Sequence, residues 1–63
     1  MPKSNTLQIY LIHFYTQGFF PYPDDDSVIQ ELLRFALIGL KSDDTFYITD
    51  GGINYLRGEG LID

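Results

Sequence analysis

Thr45 to Leu56, TFYITDGGINYL, constrains the fold of this chain more than any other stretch, because a strand pattern passes straight into a helix start. Thr45, Tyr47 and Thr49 alternate with Phe46 and Ile48, the period of two expected of a half-buried strand rich in β-branched and aromatic residues. Thr49 then occupies an N-cap position, with Asp50 in the first turn, where a carboxylate meets the positive end of the helix dipole. Ile53 and Leu56 follow at helical spacing, which predicts a helix over Thr49 to Arg57, broken by Gly58 and Gly60. Gly51 and Gly52 each weaken its first turn by about 1 kcal/mol relative to Ala, so they are expected to serve turn geometry or close packing against the strand. A lone strand leaves its backbone donors and acceptors unsatisfied. The nearest partner is Ile38 to Lys41, reached through a turn at Ser42, Asp43 and Asp44.

Upstream of that hairpin, Ile29, Leu32, Leu33, Ala36 and Leu37 form one apolar stripe, flanked by Val28 and Phe35, while Gln30, Glu31 and Arg34 lie away from it. A helix is therefore predicted from Asp26 or Ser27 as its cap to about Leu37; Leu40 keeps the helical period, whereas Gly39 and the polar run after it mark a change of structure. Asp24, Asp25 and Asp26 are read as a helix start favoured by the dipole. The alternative, a calcium loop, lacks the alternating ligands around a glycine and the closing Glu.

The first helix is predicted between Asn5, with Gln8 at capping-box spacing, and a closing Gly18. Leu7, Tyr10, Leu11 and Phe14 share a face, but Ile9 and Ile12 carry apolar surface well round the cylinder, so packing on more than one side is expected. A strand buried on both faces competes, since Ile, Tyr and Phe favour strands; the end signals and length decide for the helix. Between the helices, GFFPYPDDD holds Pro21 and Pro23, which lack amide donors and push Phe20 and Tyr22 toward extended geometry. Phe19, Phe20 and Tyr22 are thus held on a constrained loop. They either fold over an open edge of the core or form an interaction surface.

A single domain over residues 1–63 has little room for a core, since a chain of this size buries only about 60% of the surface its unfolded form exposes. It has no cysteine and one histidine, His13, so neither disulfides nor a zinc site supports the fold. Five Phe and five Tyr are many to hide in so small a body, which points to an exposed aromatic surface and hence a partner or self-association as a homodimer. Nine acids against Lys3, Arg34, Lys41 and Arg57 give a net charge of -5. Affinity for a duplex rests largely on neutralised phosphates, so this balance disfavours nucleic acid and points to a basic protein partner or simply to solubility. No run approaches the roughly 18 apolar residues of a membrane span, and the first residues are unlike a signal peptide; a cytoplasmic location is the expectation.

The order helix, amphipathic helix, hairpin, then Thr-x-x-Gly opening a last helix resembles the winged-helix variant of the helix-turn-helix. Phe46-Tyr47-Ile48-Thr49-Asp50-Gly51-Gly52-Ile53-Asn54-Tyr55-Leu56 is similar to the stretch where the second wing strand of such domains enters an apolar helix. The resemblance covers about Ser27 to Leu56 and implies an α+β fold: two or three helices plus a C-terminal β-hairpin wing running into a last helix. A complete winged helix has one more helix before the recognition helix; here it has shrunk to a turn, or the domain is only wing-like. The resemblance implies a recognition helix presenting Gln30, Glu31 and Arg34, and a wing presenting Lys41, Ser42, Asp43 and Asp44. An Arg or Gln so placed reads base edges in a DNA-binding regulator, usually dimeric, but Glu31, Asp43 and Asp44 would face phosphates. Small and acidic, the chain also resembles short phage and mobile-element proteins that bind and inhibit or redirect a host protein.

No enzyme is expected. His13 lies among apolar residues, the serines and tyrosines have no base at recognisable spacing, and Asp50-Gly51-Gly52 lacks the lysine and glycine spacing of a phosphate loop. No cofactor or metal is implied. The function read from the sequence is a protein-interaction module with Phe19, Phe20, Tyr22, Gln30, Glu31, Arg34, Lys41, Asp43 and Asp44 as contact candidates.

Overall fold

A computed structural model describes residues 5–63. The elements run α1 (Asn5–Gln17), α2 (Asp26–Arg34), β1 (Ile38–Leu40), β2 (Phe46–Ile48) and α3 (Asp50–Gly58), an α+β arrangement. Among the described residues, no helix is long and apolar enough to cross a membrane.

Helix α1 forms where the end signals placed it rather than as a strand. Leu7 and Leu11, one turn apart, are buried, and Gly18 closes the helix at φ 87° with its amide donating to Phe14 O at 2.9 Å. One expectation for α1 is corrected. Asn5 is already helical, so it is not the cap; Gln8 instead turns its side-chain amide to Tyr55 Oη at 3.2 Å and Glu59 Oε1 at 3.4 Å, joining α1 to α3. The expected packing on more than one side forms, with α1 against α2, α3 and β2 and Ile12 on the core, while Ile9 and Tyr15 remain exposed.

Helix α2 is capped one residue earlier than the expected Asp26 or Ser27. Asp25, first in line to meet free amides, accepts from Ser27 N at 3.0 Å and Ser27 Oγ at 2.8 Å, and its own amide donates to Tyr10 Oη at 2.9 Å. The helix also stops earlier than the stripe implied. Ala36 N donates to Leu33 O at 3.0 Å and Leu37 N to Leu32 O at 2.9 Å, the paired bonds of a Schellman end, with Ala36 left-handed at φ 59°. Ala36 is therefore an exposed terminator rather than part of the buried stripe, and the reversal delivers Leu37 and Ile38 into the core. Helix α3 ends in the same way around Gly60 at φ 74°, with Leu61 N donating to Leu56 O at 2.9 Å. Leu61 and Ile62 then pack against the core.

The hairpin forms where the unsatisfied strand required it. The strands are antiparallel, with Ile38 opposite Ile48, Gly39 opposite Tyr47 and Leu40 opposite Phe46. A tight turn joins them: Asp44 N donates to Lys41 O at 3.0 Å, Lys41 N to Thr45 O at 2.8 Å, and Asp44 takes the left-handed conformation at φ 67°. Thr49 caps α3 as expected, its hydroxyl accepting from Gly52 N at 3.0 Å while donating to Ala36 O at 2.6 Å. The core is apolar throughout: Leu7, Leu11, Ile29, Leu32, Leu37, Ile38, Tyr55 and Leu56, drawn from all three helices and the hairpin's entry.

Glycines 52 and 58 have opposite surroundings within one helix. A Cβ on Gly52 would collide with the Leu37 carbonyl oxygen and approach Ile48 Cγ1 to 2.9 Å, whereas one on Gly58 would meet nothing within 4 Å. Gly52→Ala is expected to lower the unfolding free energy by about 2 kcal/mol through overpacking. Gly58→Ala is expected to raise it by about 0.5–1 kcal/mol, because only backbone entropy changes. Urea unfolding of both variants with unchanged m-values checks the opposite signs.

Candidate functional site

A proline-punctuated segment has few backbone bonds of its own, so the loop from Gly18 to Asp25 must be held by side chains. Phe20 holds it. Its ring stacks on Phe14 of α1 with centroids 4.6 Å apart and an interplanar angle of 14°, and meets Phe46 of β2 edge-on at 5.8 Å and Tyr10 at 6.2 Å. Offset stacks and edge contacts of this kind each add about 0.5–1.5 kcal/mol beyond area burial. Phe19 is held differently. His13 Nδ1 lies 2.7 Å from the Phe19 carbonyl oxygen and the two rings meet edge-on at 5.3 Å. A carbonyl only accepts, so Nδ1 of His13 carries a proton.

The two readings of the loop therefore apply to different residues. Phe20 folds over the core edge, whereas Phe19 is 60% exposed and Tyr22 94% exposed. Between this loop and the hairpin lies an open groove of about 510 Å³, lined by Phe14, Gly18, Phe19, Phe20, Pro21, Tyr22, Asp24, Thr45 and Phe46. Its size falls within the roughly 300–1,000 Å³ of ligand-binding clefts. The lining is apolar apart from Asp24 and Thr45.

The other candidates stand apart from the groove wall. Gln30 and Arg34 are exposed on α2, and Glu31 is half-buried, its carbonyl accepting from Phe35 N at 3.0 Å; none of the three lines the groove. Lys41, Asp43 and Asp44 are exposed on the hairpin turn. Asp43 touches the groove indirectly, its carboxylate accepting from Thr45 Oγ1 at 2.6 Å and Thr45 N at 3.2 Å. Phe14, Gly18, Pro21, Asp24, Thr45 and Phe46 are lining residues that sequence reasoning did not offer as contact candidates. Phe14 stands four residues before the helix-closing glycine and Phe46 on the inward strand face, and only the fold brings them together. Among the described residues, no group of three or more His, Cys, Asp or Glu is placed to hold a metal ion.

With the groove defined, comparison with known proteins adds no relative. No protein-family model, curated protein or solved structure matches the chain.

Two carboxylates, one at the start of α2 and one in the hairpin turn, respond to their surroundings. The Ser27 hydroxyl, then the Ser27 amide, hold Asp25 below its ordinary pKa, and the Thr45 hydroxyl, then the Thr45 amide, do the same for Asp43. Depressed folded-state pKa values mean that the unfolded chain binds more protons across the interval between the two values. These contributions are therefore complete above the ordinary carboxylate value, about 4, and lost as pH falls through the lower folded-state values. Urea midpoints measured across the acid range should fall more gently with acid for Asp25→Asn combined with Asp43→Asn than for the unaltered chain.

Proposed function

We propose that this chain is a small acidic, winged-helix-like module that binds a larger protein and modulates it by occupying one of its surfaces. The display of Phe19 and Tyr22 beside an apolar groove carries the reading. Exposed aromatics forgo about 25 cal/mol for each Å² of apolar surface left in water, and aromatic residues in a rigid setting are the usual hot spots of protein interfaces. Phe20 and His13 fix the loop before any partner arrives, which lowers the ordering cost of association. In the winged-helix reading, α2 is the recognition helix, the hairpin is the wing, and Gly18 to Asp25 replaces the missing helix.

A DNA-binding reading has one supporting observation, the exposure of Gln30 and Arg34 on α2. Charge opposes it: Lys41 shares its turn with Asp43 and Asp44, and the chain carries -5 overall. A dimer with the groove as its interface would bring two such charges together.

Affinity capture by the full chain from lysate of the organism that encodes it, followed by mass spectrometry, tests the protein-binding reading. Phe19→Ala combined with Tyr22→Ala should weaken capture of the principal partner by about tenfold or more, with the circular dichroism spectrum unchanged. The same partner retained equally by both forms would overturn the loop as its anchor, and capture of no partner by the full chain would overturn the reading. In a gel-shift assay at low salt over a random duplex pool, the expected result is no retardation.

A further inference from the structure

The chemistry of the groove selects an occupant. Its floor and walls are aromatic and aliphatic, and no lysine, arginine or histidine lines it. Asp24 is the one ionised group in the lining, and Asp25 and Asp26 follow it in the chain. On the hairpin side, Thr45 lines the groove and binds the Asp43 carboxylate at 2.6 Å, with Asp44 next in the turn. Lys41 stands in that same turn, and the carboxylates placed at the groove are Asp24 in its lining and Asp43 held on Thr45. Arg34 is on α2, and Arg57 donates to the Asp63 carbonyl oxygen at 3.3 Å at the end of α3.

An aromatic trough bordered by carboxylates favours a flexible cation with an apolar stem. The stem of an arginine or lysine covers ring carbon, while its charge interacts with the ring face and with carboxylates; Arg over an aromatic ring gains about 0.5–2 kcal/mol depending on desolvation. We propose that the groove takes a basic linear segment of the partner protein, with an arginine or lysine side chain laid against Phe19 and Tyr22 and answered by Asp24 and Asp43. The inference rests on the protein-binding reading and specifies its ligand. Charge disfavours the other occupants. A second copy would bring another net charge of -5, and a nucleic acid would bring phosphates to a negative rim.

The test uses the full chain labelled with ¹⁵N and three acetylated, amidated probes of equal length: Gly-Arg-Leu-Arg-Leu-Arg-Gly, the same peptide with Glu for Arg, and the same with Ser for Arg. The basic peptide should shift the amides of Phe19, Phe20, Tyr22, Asp24, Thr45 and Phe46, bind about tenfold or more tightly than the Ser peptide, and weaken as salt is raised. Asp24→Asn should weaken it about threefold, and Phe19→Ala combined with Tyr22→Ala should abolish the shifts while leaving the core resonances in place. Equal binding of the Ser or Glu peptide, or shifts confined to the Arg34 face, would overturn the proposal. So would shifts of the groove amides with protein concentration alone, which would assign the groove to a second copy. If partner capture depends on Phe19 and Tyr22 but the basic peptide does not bind, this inference fails and the protein-binding reading stands. If no partner is captured by the full chain, that reading itself fails.

Discussion

The packing of the Leu37 carbonyl against the first turn of α3 ties the end of α2 and the hairpin to the last helix. Gly52 has no Cβ, so the helix start can lie against that carbonyl, and Thr49 N also donates to it at 3.3 Å. The Thr49 hydroxyl closes the knot by accepting from Gly52 N and donating to the Ala36 carbonyl. One threonine thus starts a helix and satisfies the end of another. In a chain of 63 residues without disulfides, such double use of polar groups leaves the interior free for leucine and isoleucine.

From that knot the two Schellman ends act as corners. Ala36 turns the chain from α2 into β1, and Gly60 turns it from α3 into a tail that covers the core with Leu61 and Ile62. Each corner sets an apolar residue, Leu37 or Leu61, five positions beyond the helix carbonyl to which its amide donates. Helix α1 is joined to this frame at two levels: through Gln8 to Tyr55 and Glu59, and through Tyr10 to the Asp25 amide at the start of α2. Phe20 extends the same frame outward and makes one wall of the groove.

Signals carried by near neighbours were legible in the sequence. The Thr49 cap, the Gly18 stop, the alternation through Phe46–Ile48 and the hairpin all depend on residues a few positions apart, and all form. Where neighbouring residues offer equivalent signals, local reasoning slipped: three successive aspartates can each cap a helix, and Asp25 rather than Asp26 does so. Ala36 illustrates a different limit. Alanine is the best helix former, so its left-handed conformation follows from tertiary demand, the Thr49 hydroxyl and the burial of Leu37, and not from propensity. The groove was the least legible part. Phe19, Phe20 and Tyr22 attract attention as a loop cluster, but the stacking of Phe20 on Phe14 and Phe46 joins segments far apart in the chain.

The adjacency of Phe19 and Phe20 separates two kinds of evolutionary freedom within a single dipeptide. Phe20 is locked among Tyr10, Phe14 and Phe46, so a substitution there is felt by the whole fold. Phe19 and Tyr22 project from the same anchored loop with no other part of the core resting on them. Substitution at positions 19 and 22 therefore leaves the ring packing of position 20 in place. The loop thus separates what anchors it from what it shows to solvent: Phe20 is the pin, Phe19 and Tyr22 the outward face.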